Sequence, residues 1–286
     1  MMMLVLGATG LLGQAVVAEG RQRGLRVRTA ARRDAEIALD VSHREALEAV
    51  LQREQPQLIV NCAALVDLAK CESDPGLAYR INAAPAAQLA RWCAAAGAKL
   101  VQVSTDHFFT GEGAAAHGED APVTLLNEYA ATKYAGERFA LLSPDALVLR
   151  TSIVGIRGWA QPSFAEWAIT AIREDRPMTL FSDAFTSSID VASFARAALD
   201  LVGQNASGLL NLAAREVYSK QHFIQQLAAE LNAFLTNAAV GSVGTLSPPR
   251  PQSLGLDVSR AQALLDWPLP DLQQVAGAVV AAYRSE

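Results

Sequence analysis

A glycine-rich turn near the start of the chain narrows its folding options more than anything else in the sequence. Met1-Met-Met-Leu-Val-Leu6 reads as a short apolar strand and Gln14-Ala-Val-Val-Ala-Glu19 as part of an Ala/Val-rich helix, with Gly7-Ala-Thr-Gly10-Leu-Leu-Gly13 between them. Glycine reaches backbone angles closed to other residues and, having no Cβ, lets a pyrophosphate approach the main chain. The free N–H groups and positive dipole end of the following helix then hold the anion. The spacing is G-x-x-G-x-x-G, not the G-x-G-x-x-G of many dehydrogenases, but a strand before and a helix after is the context that gives such a turn its meaning. Gly7, Thr9, Gly10, Leu11, Leu12 and Gly13 are accordingly the first candidate cofactor-binding residues.

Beyond the turn, strand-like and helix-like runs alternate. Strands are predicted at Met2–Leu6, Arg26–Thr29, Leu58–Asn61, Lys99–Val103 and Ala146–Arg150, and helices at Leu11–Arg23, Ser42–Arg53, Asn82–Ala96 and Asn127–Leu142. Gly97 follows the third helix as a C-terminal stop. This alternation predicts an α/β fold, a Rossmann-type doubly wound parallel sheet with helices on both faces. Past Thr151 the pattern turns irregular, with helices expected at Ser163–Arg173, Asp190–Val202, Ser219–Leu231, Ser259–Leu265 and Leu272–Tyr283 and a Pro-rich loop at Ser247–Pro251. The expected organisation is a dinucleotide-binding domain over residues 1–150. A smaller mixed α/β substrate-binding lobe over 151–286 would interleave with the end of the sheet.

Composition excludes several function classes. Of the 286 residues 51% are hydrophobic and 19% charged, enough apolar surface for an extensive core and too little charge for disorder. A net charge of −5 without a basic stripe argues against nucleic acid or an anionic membrane as partner. Three cysteines (Cys62, Cys71, Cys93) form no C-x-x-C pair and the four histidines are scattered, so no metal site is expected. The apolar start lacks a basic leader, no apolar run reaches about 18 residues, and a cytoplasmic protein with reduced thiols is the expectation.

The chemistry lies at predicted strand ends, where ligands of open parallel sheets collect. The glycine turn, Asn61-Cys-Ala-Ala64 and Ser104-Thr105 all fall there. Tyr129 and Lys133 stand four apart and share one helix face. A free tyrosine titrates near a pKa of roughly 10. A neighbouring cation would lower that value and make the phenol a usable proton donor or acceptor.

Taken together, Gly7–Gly13, Ile59-Val-Asn-Cys-Ala-Ala64, Lys70-Cys-Glu-Ser-Asp-Pro75, Val103-Ser-Thr-Asp-His-Phe-Phe109, Asn127-Glu-Tyr-Ala-Ala-Thr-Lys-Tyr-Ala-Gly-Glu137 and Arg250-Pro-Gln-Ser-Leu-Gly-Leu-Asp257 resemble the extended short-chain dehydrogenase/reductases. More narrowly they resemble the dTDP-4-dehydrorhamnose reductases and related sugar-nucleotide reductases. The resemblance implies reduction of a 4-keto sugar nucleotide. Tyr129 would protonate the carbonyl oxygen, Lys133 would tune the phenol and hold the nicotinamide ribose, and Thr105, with Ser104 as the alternate, would orient the same oxygen. It also implies that Asp40, Val41, Asn61, Cys62, Ala63, Ala64 and Asn82 line the cofactor cleft, and that Ser104, Thr105, Asp106 and Arg250 meet the substrate.

Two positions carry a second reading: Asp40 as an N-cap of the next helix, and Arg250 as a surface arginine. Arg32 and Arg33 follow the second strand, which no acidic residue ends, so NADP(H) is preferred over NAD(H). A homodimer is common among relatives. Three departures from the pattern of those reductases bear on the substrate. His107 replaces the usual tyrosine, Ser182–Ile189 lacks a glycine and a Pro-Thr pair, and Ser152–Gly155 lacks the expected aromatics. The alternatives are a nucleotide-sugar epimerase or a non-catalytic NADP-binding regulatory subunit of the same fold. An Asp-Glu pair after the threonine would indicate a dehydratase, and here Asp106-His107 stands instead.

Overall fold

A computed structural model describes residues 1–111, 113–159, 161–246 and 251–285. Their folding follows from where apolar residues recur. Met2–Leu6 (β1), Leu58–Asn61 (β4) and Lys99–Val103 (β5) carry the apolar runs expected of strands covered on both faces, and β4 is buried throughout, whereas Arg26–Ala31 (β2) alternates two arginines with Val27 and Thr29 before ending in buried alanines. A two-residue strand, Ile37–Ala38 (β3), was not legible in the sequence and extends the sheet beyond β2.

The helices of this part are Leu11–Gln22 (α1), Arg44–Glu54 (α2), Leu68–Ser73 (α3), Pro75–Asn82 (α4), Ala84–Ala96 (α5) and Glu128–Ala140 (α6). Gly97 takes the left-handed conformation at the end of α5, with φ +65°, as its position predicted. The helix expected from Asn82 begins instead at Ala84. Asp74 caps α4 through the Leu77 N–H, Pro75 occupies its first turn, and Asn82 ends it.

The remaining elements are Ala116–His117 (β6), Leu147–Arg150 (β7), Ile153–Val154 (β8), Phe164–Arg173 (α7), Met178–Phe181 (β9), Phe185–Thr186 (β10), Ile189–Asp190 (β11) and Val191–Gly203 (α8). They continue with Gly208–Asn211 (β12), Tyr218–Ser219 (β13), Lys220–Glu230 (α9), Ala238–Gly241 (β14), Ser253–Leu256 (β15), Ser259–Gln262 (α10) and Leu272–Arg284 (α11). The main sheet has seven strands in the order β12-β7-β5-β4-β1-β2-β3. The pairs of β3, β2, β1, β4, β5 and β7 are all parallel, and β1 lies between β2 and β4. The order reverses at β1 and β4, as in a doubly wound Rossmann-type sheet.

Two compact units are resolved: residues 1–108, 125–150 and 195–210 form the first, and residues 109–124, 151–194 and 211–286 the second. In the first, Leu4, Leu6, Ile59, Leu100 and Val148 of the sheet pack with Leu47, Leu51 and Leu89 of the helices, all essentially without exposure. Burying each such side chain is worth about 1.5–3 kcal/mol. The second unit has its own core, in which Ile169 and Ile172 of α7 meet Phe223 and Leu227 of α9 and Val275 and Val279 of α11. Its smaller sheets are β13-β10-β15-β6, β11-β8 and β14-β9. Among the described residues, no helix is long and apolar enough to cross a membrane.

Candidate active site

The first turn is built so that only glycine fits. Gly7 has φ +72°, and a Cβ there would stand 2.7 Å from the Ala63 nitrogen; one on Gly13 would stand 2.2 Å from the Gly7 carbonyl oxygen. The Gly10 N–H donates to that carbonyl at 3.0 Å and Gln14 Nε2 to the Thr9 carbonyl at 2.9 Å, which closes the turn. Gly10 caps α1 without a side-chain hydrogen bond, and no acidic residue lies in its first turn. The opening N–H groups of α1 therefore face no built-in anion, the arrangement that suits a bound phosphate. Leu11 is half-buried and Leu12 buried under this turn.

Arg32 and Arg33 are exposed just past β2. Asp40 accepts from the Ser42 N–H at 2.9 Å. Burial pushes its carboxyl up, but the Ser42 hydrogen bonds and the charges of His43 and Arg32 outweigh this and hold it below the usual carboxylate range. Asp40 is not the cap of α2: that position is His43, which makes no side-chain cap bond. Val41 packs against the core of the first unit. At the end of β4, Asn61 donates to Gln102 Oε1 at 2.8 Å and accepts from the Ala63 N–H at 3.2 Å, fixing the turn that carries Cys62, Ala63 and Ala64. Asn82 spends its amide inside the protein. It accepts from the Leu65 N–H at 2.8 Å and donates to the Leu65 carbonyl and the Thr132 hydroxyl, both at 3.1 Å. It thereby pins this same turn to α6.

Ser104, Thr105 and Asp106 follow β5 and are all buried. Their side chains have different partners. Ser104 donates to Glu137 at 3.1 Å, and Glu137 is held on both oxygens by Arg150 at 3.0 and 2.7 Å. Thr105 instead donates to Asp106 Oδ1 at 3.4 Å and accepts from the His107 N–H at 3.3 Å, and its hydroxyl lowers the proton affinity of Tyr129. The phenol is thus under the influence of the threonine hydroxyl, while Ser104 belongs to a buried ion pair. Lys133 donates to the Val103 carbonyl at 2.7 Å. Tyr129, Lys133 and Glu137 recur every four residues and form one buried face of α6. Gly136 lets that helix close on α4, since a Cβ there would meet the Asn82 carbonyl oxygen at 2.3 Å.

One electrostatic expectation is corrected. A lowered phenol was predicted, but burial pushes Tyr129 up to about 12; the Thr105 hydrogen bond pulls it down, while the charges of Asp106 and Cys71 add to the rise. Lys133 is driven the other way, down to about 8, by its own burial against the opposing influence of Cys62 and Glu137. Loss of water disfavours the charged form of each group and is the largest cause of both shifts. Burial likewise pushes the Cys62 thiol up to about 12 despite Lys133.

The sequence did not single out Glu137 and Arg150 as a pair. Glu137 sits one turn past Lys133, and Arg150 ends an otherwise apolar, fully buried strand, the two signals that were available. In the second unit, the Ser152, Thr186 and Ser188 hydroxyls bond one another, at 2.8 Å between the serines and 2.9 Å from Thr186 to Ser188. Arg250 lies outside the described residues. No group of side chains suited to a metal ion occurs among the described residues.

Comparison with known proteins gives the chain its family. The family model described as RmlD substrate binding domain matches residues 1–285. The chain is 28% identical, over 98% of its length and 97% of the other, to a Haloferax volcanii protein described as a probable low-salt glycan biosynthesis reductase. It is 32% identical to a dTDP-4-dehydrorhamnose reductase of Mycobacterium tuberculosis, over 75% of this chain and 70% of that one. Among solved structures, a dTDP-4-dehydrorhamnose reductase from Bacillus anthracis in complex with NADP superposes with a TM-score of 0.87 at 24% identity, covering 98% of this chain and 97% of the other.

Proposed function

The chain belongs to the RmlD substrate binding domain family, and we propose that it is an NAD(P)H-dependent reductase of a 4-keto sugar nucleotide. The observation that carries the reading is the grouping of Thr105, just past β5, with Tyr129 of α6, bridged by His107, and Lys133 one turn further along that helix. A bound NAD(P)H would supply hydride to the carbonyl carbon. The glycine turn, the uncapped start of α1 and the segment Asn61–Ala64 fit its dinucleotide, with Asp40, Val41 and the Asn82-pinned loop on the adenosine side. Exposed Arg32 and Arg33 support a 2′-phosphate, hence NADPH over NADH.

In this reading the carbonyl oxygen accepts hydrogen bonds from Thr105 and Tyr129. As negative charge develops on that oxygen, Tyr129 transfers its proton to it, leaving an alcohol and a phenolate. A phenol held up to about 12 is protonated at neutral pH and so is ready to donate. Lys133 then acts after the transfer, its ammonium favouring the phenolate. Ser104, bonded to Glu137, positions the strand end and does not meet the oxygen. Asp106, buried beside Thr105, and Arg250 would complete the substrate contacts. We assign dinucleotide binding to residues 1–150 and sugar-nucleotide binding to 151–286. Titration with NADPH and NADH, followed by turnover on a panel of nucleoside-diphosphate 4-keto-6-deoxyhexoses, tests the reading. NADPH preference with oxidation on one member is expected; no oxidation on any member would refute it.

A further inference from the structure

His107 stands two residues past Thr105, and the steps above give it no task. Its backbone N–H donates to the Thr105 hydroxyl at 3.3 Å. Its ring meets that of Tyr129 edge to face, with centroids 5.5 Å apart and planes at 89°. His107 is thus tied to both hydroxyl-bearing residues of the site, to Thr105 through its backbone and to Tyr129 through its ring. Its Nδ1 is buried from solvent and has no hydrogen-bond partner among the described residues.

Packing explains the ring but not the nitrogen. A phenylalanine would make the same edge-to-face contact without leaving a desolvated polar atom. Buried polar atoms are nearly always paired, so an orphan beside a reaction centre suggests a partner supplied by a ligand. A carbonyl held by Thr105 and Tyr129 would bring its flanking carbons next to this ring. A tyrosine, the residue expected here from the resemblance, would present its hydroxyl at the far end of the ring. Histidine Nδ1 adjoins Cγ, so the polar contact sits nearer the backbone.

We propose that His107 is a specificity-determining residue whose Nδ1 hydrogen-bonds a hydroxyl on a carbon flanking the reacting carbonyl. The substrate class is then a keto sugar nucleotide with a free hydroxyl beside its ketone. Imidazole nitrogen accepts or donates according to tautomer and a sugar hydroxyl does both, so either tautomer serves. This inference rests on the reductase reading of the same site.

The test measures kcat/KM for wild type, His107→Phe and His107→Asn on a 4-keto-6-deoxyhexose nucleotide and on its analogue lacking the flanking hydroxyl. Asparagine places an amide close to where Nδ1 lies, and NADPH binding reports that each variant is folded. Wild type should lose about tenfold or more on the deoxy analogue. His107→Phe should treat the two alike, and His107→Asn should keep part of the preference. A His107→Phe enzyme that retains the wild-type preference overturns the assignment, as does a wild type indifferent to the hydroxyl. Should His107→Phe fail to fold, His107→Asn and the wild-type ratio decide in the same way. A wild type that reduces no keto sugar overturns the reductase reading, and the assignment falls with it.

Discussion

Tyr129 and Lys133 lie four residues apart on one buried face of α6, and burial moves their proton affinities in opposite directions, the phenol up to about 12 and the ammonium down to about 8. Replacing Tyr129 by Phe removes the proposed proton donor but none of the turn that fits the dinucleotide. Steady-state kinetics should show kcat lower by about 10²–10⁴-fold, with NADPH affinity unchanged in a titration. A pH effect follows from Lys133. Its affinity is lowered, so it loses its charge as pH rises through about 8, and with it the support for the phenolate. The rate should therefore fall above about 8, and Lys133→Met should be slow at all pH with that limb gone; a wild-type profile flat across this range contradicts the role. The same sign reaches stability. Between about 8 and the ordinary lysine value the unfolded chain binds the extra proton, so this group makes the fold more stable as pH rises through that window.

At the level of elements, the site is where the ends of β5 and β7 meet α6, and the join is the Ser104–Glu137–Arg150 cluster. Arg150 is 2% exposed and Glu137 1%, so each needs the other. Arg150→Met should cost about 3–5 kcal/mol in denaturant unfolding by stranding a buried carboxylate, and adding Glu137→Met should recover much of it. This pairing was not readable in advance, because tertiary contact alone makes partners of residues 137 and 150. The strands of the first half were readable: β1, β4 and β5 are apolar runs between clear breaks, and burial on both faces leaves exactly that trace in sequence. The second half was less so. Strands such as Phe185–Thr186 and Ile189–Asp190 are two residues long and carry no periodicity. The start of α4 was written in Asp74 and Pro75 and the start of α5 in Pro85, but the alanines around Pro85 masked the break between the two helices. Thr105, Tyr129 and Lys133 were legible as chemistry, whereas the direction of the Tyr129 shift was not, since a sequence does not display burial.

On the scale of the whole molecule, two units each carry a hydrophobic core, and the chain passes between them more than once. A cofactor that binds only the folded protein stabilises it by mass action, about 2.7 kcal/mol at about 100 times its Kd. Thermal unfolding should thus rise in temperature more with NADPH than with equimolar NADH, and replacing Arg32 and Arg33 together by Ser should erase that difference while leaving the unliganded melt where it was. An equal shift with both cofactors in wild type would remove the argument from the two arginines. The account as a whole stands most directly on one assay: NADPH consumption by the wild-type protein, already shown to bind the cofactor, in the presence of each nucleoside-diphosphate 4-keto-6-deoxyhexose. The account predicts stoichiometric NADPH oxidation and formation of the corresponding 4-hydroxy sugar nucleotide with at least one of them. Bound NADPH that is never oxidised across the panel would contradict it.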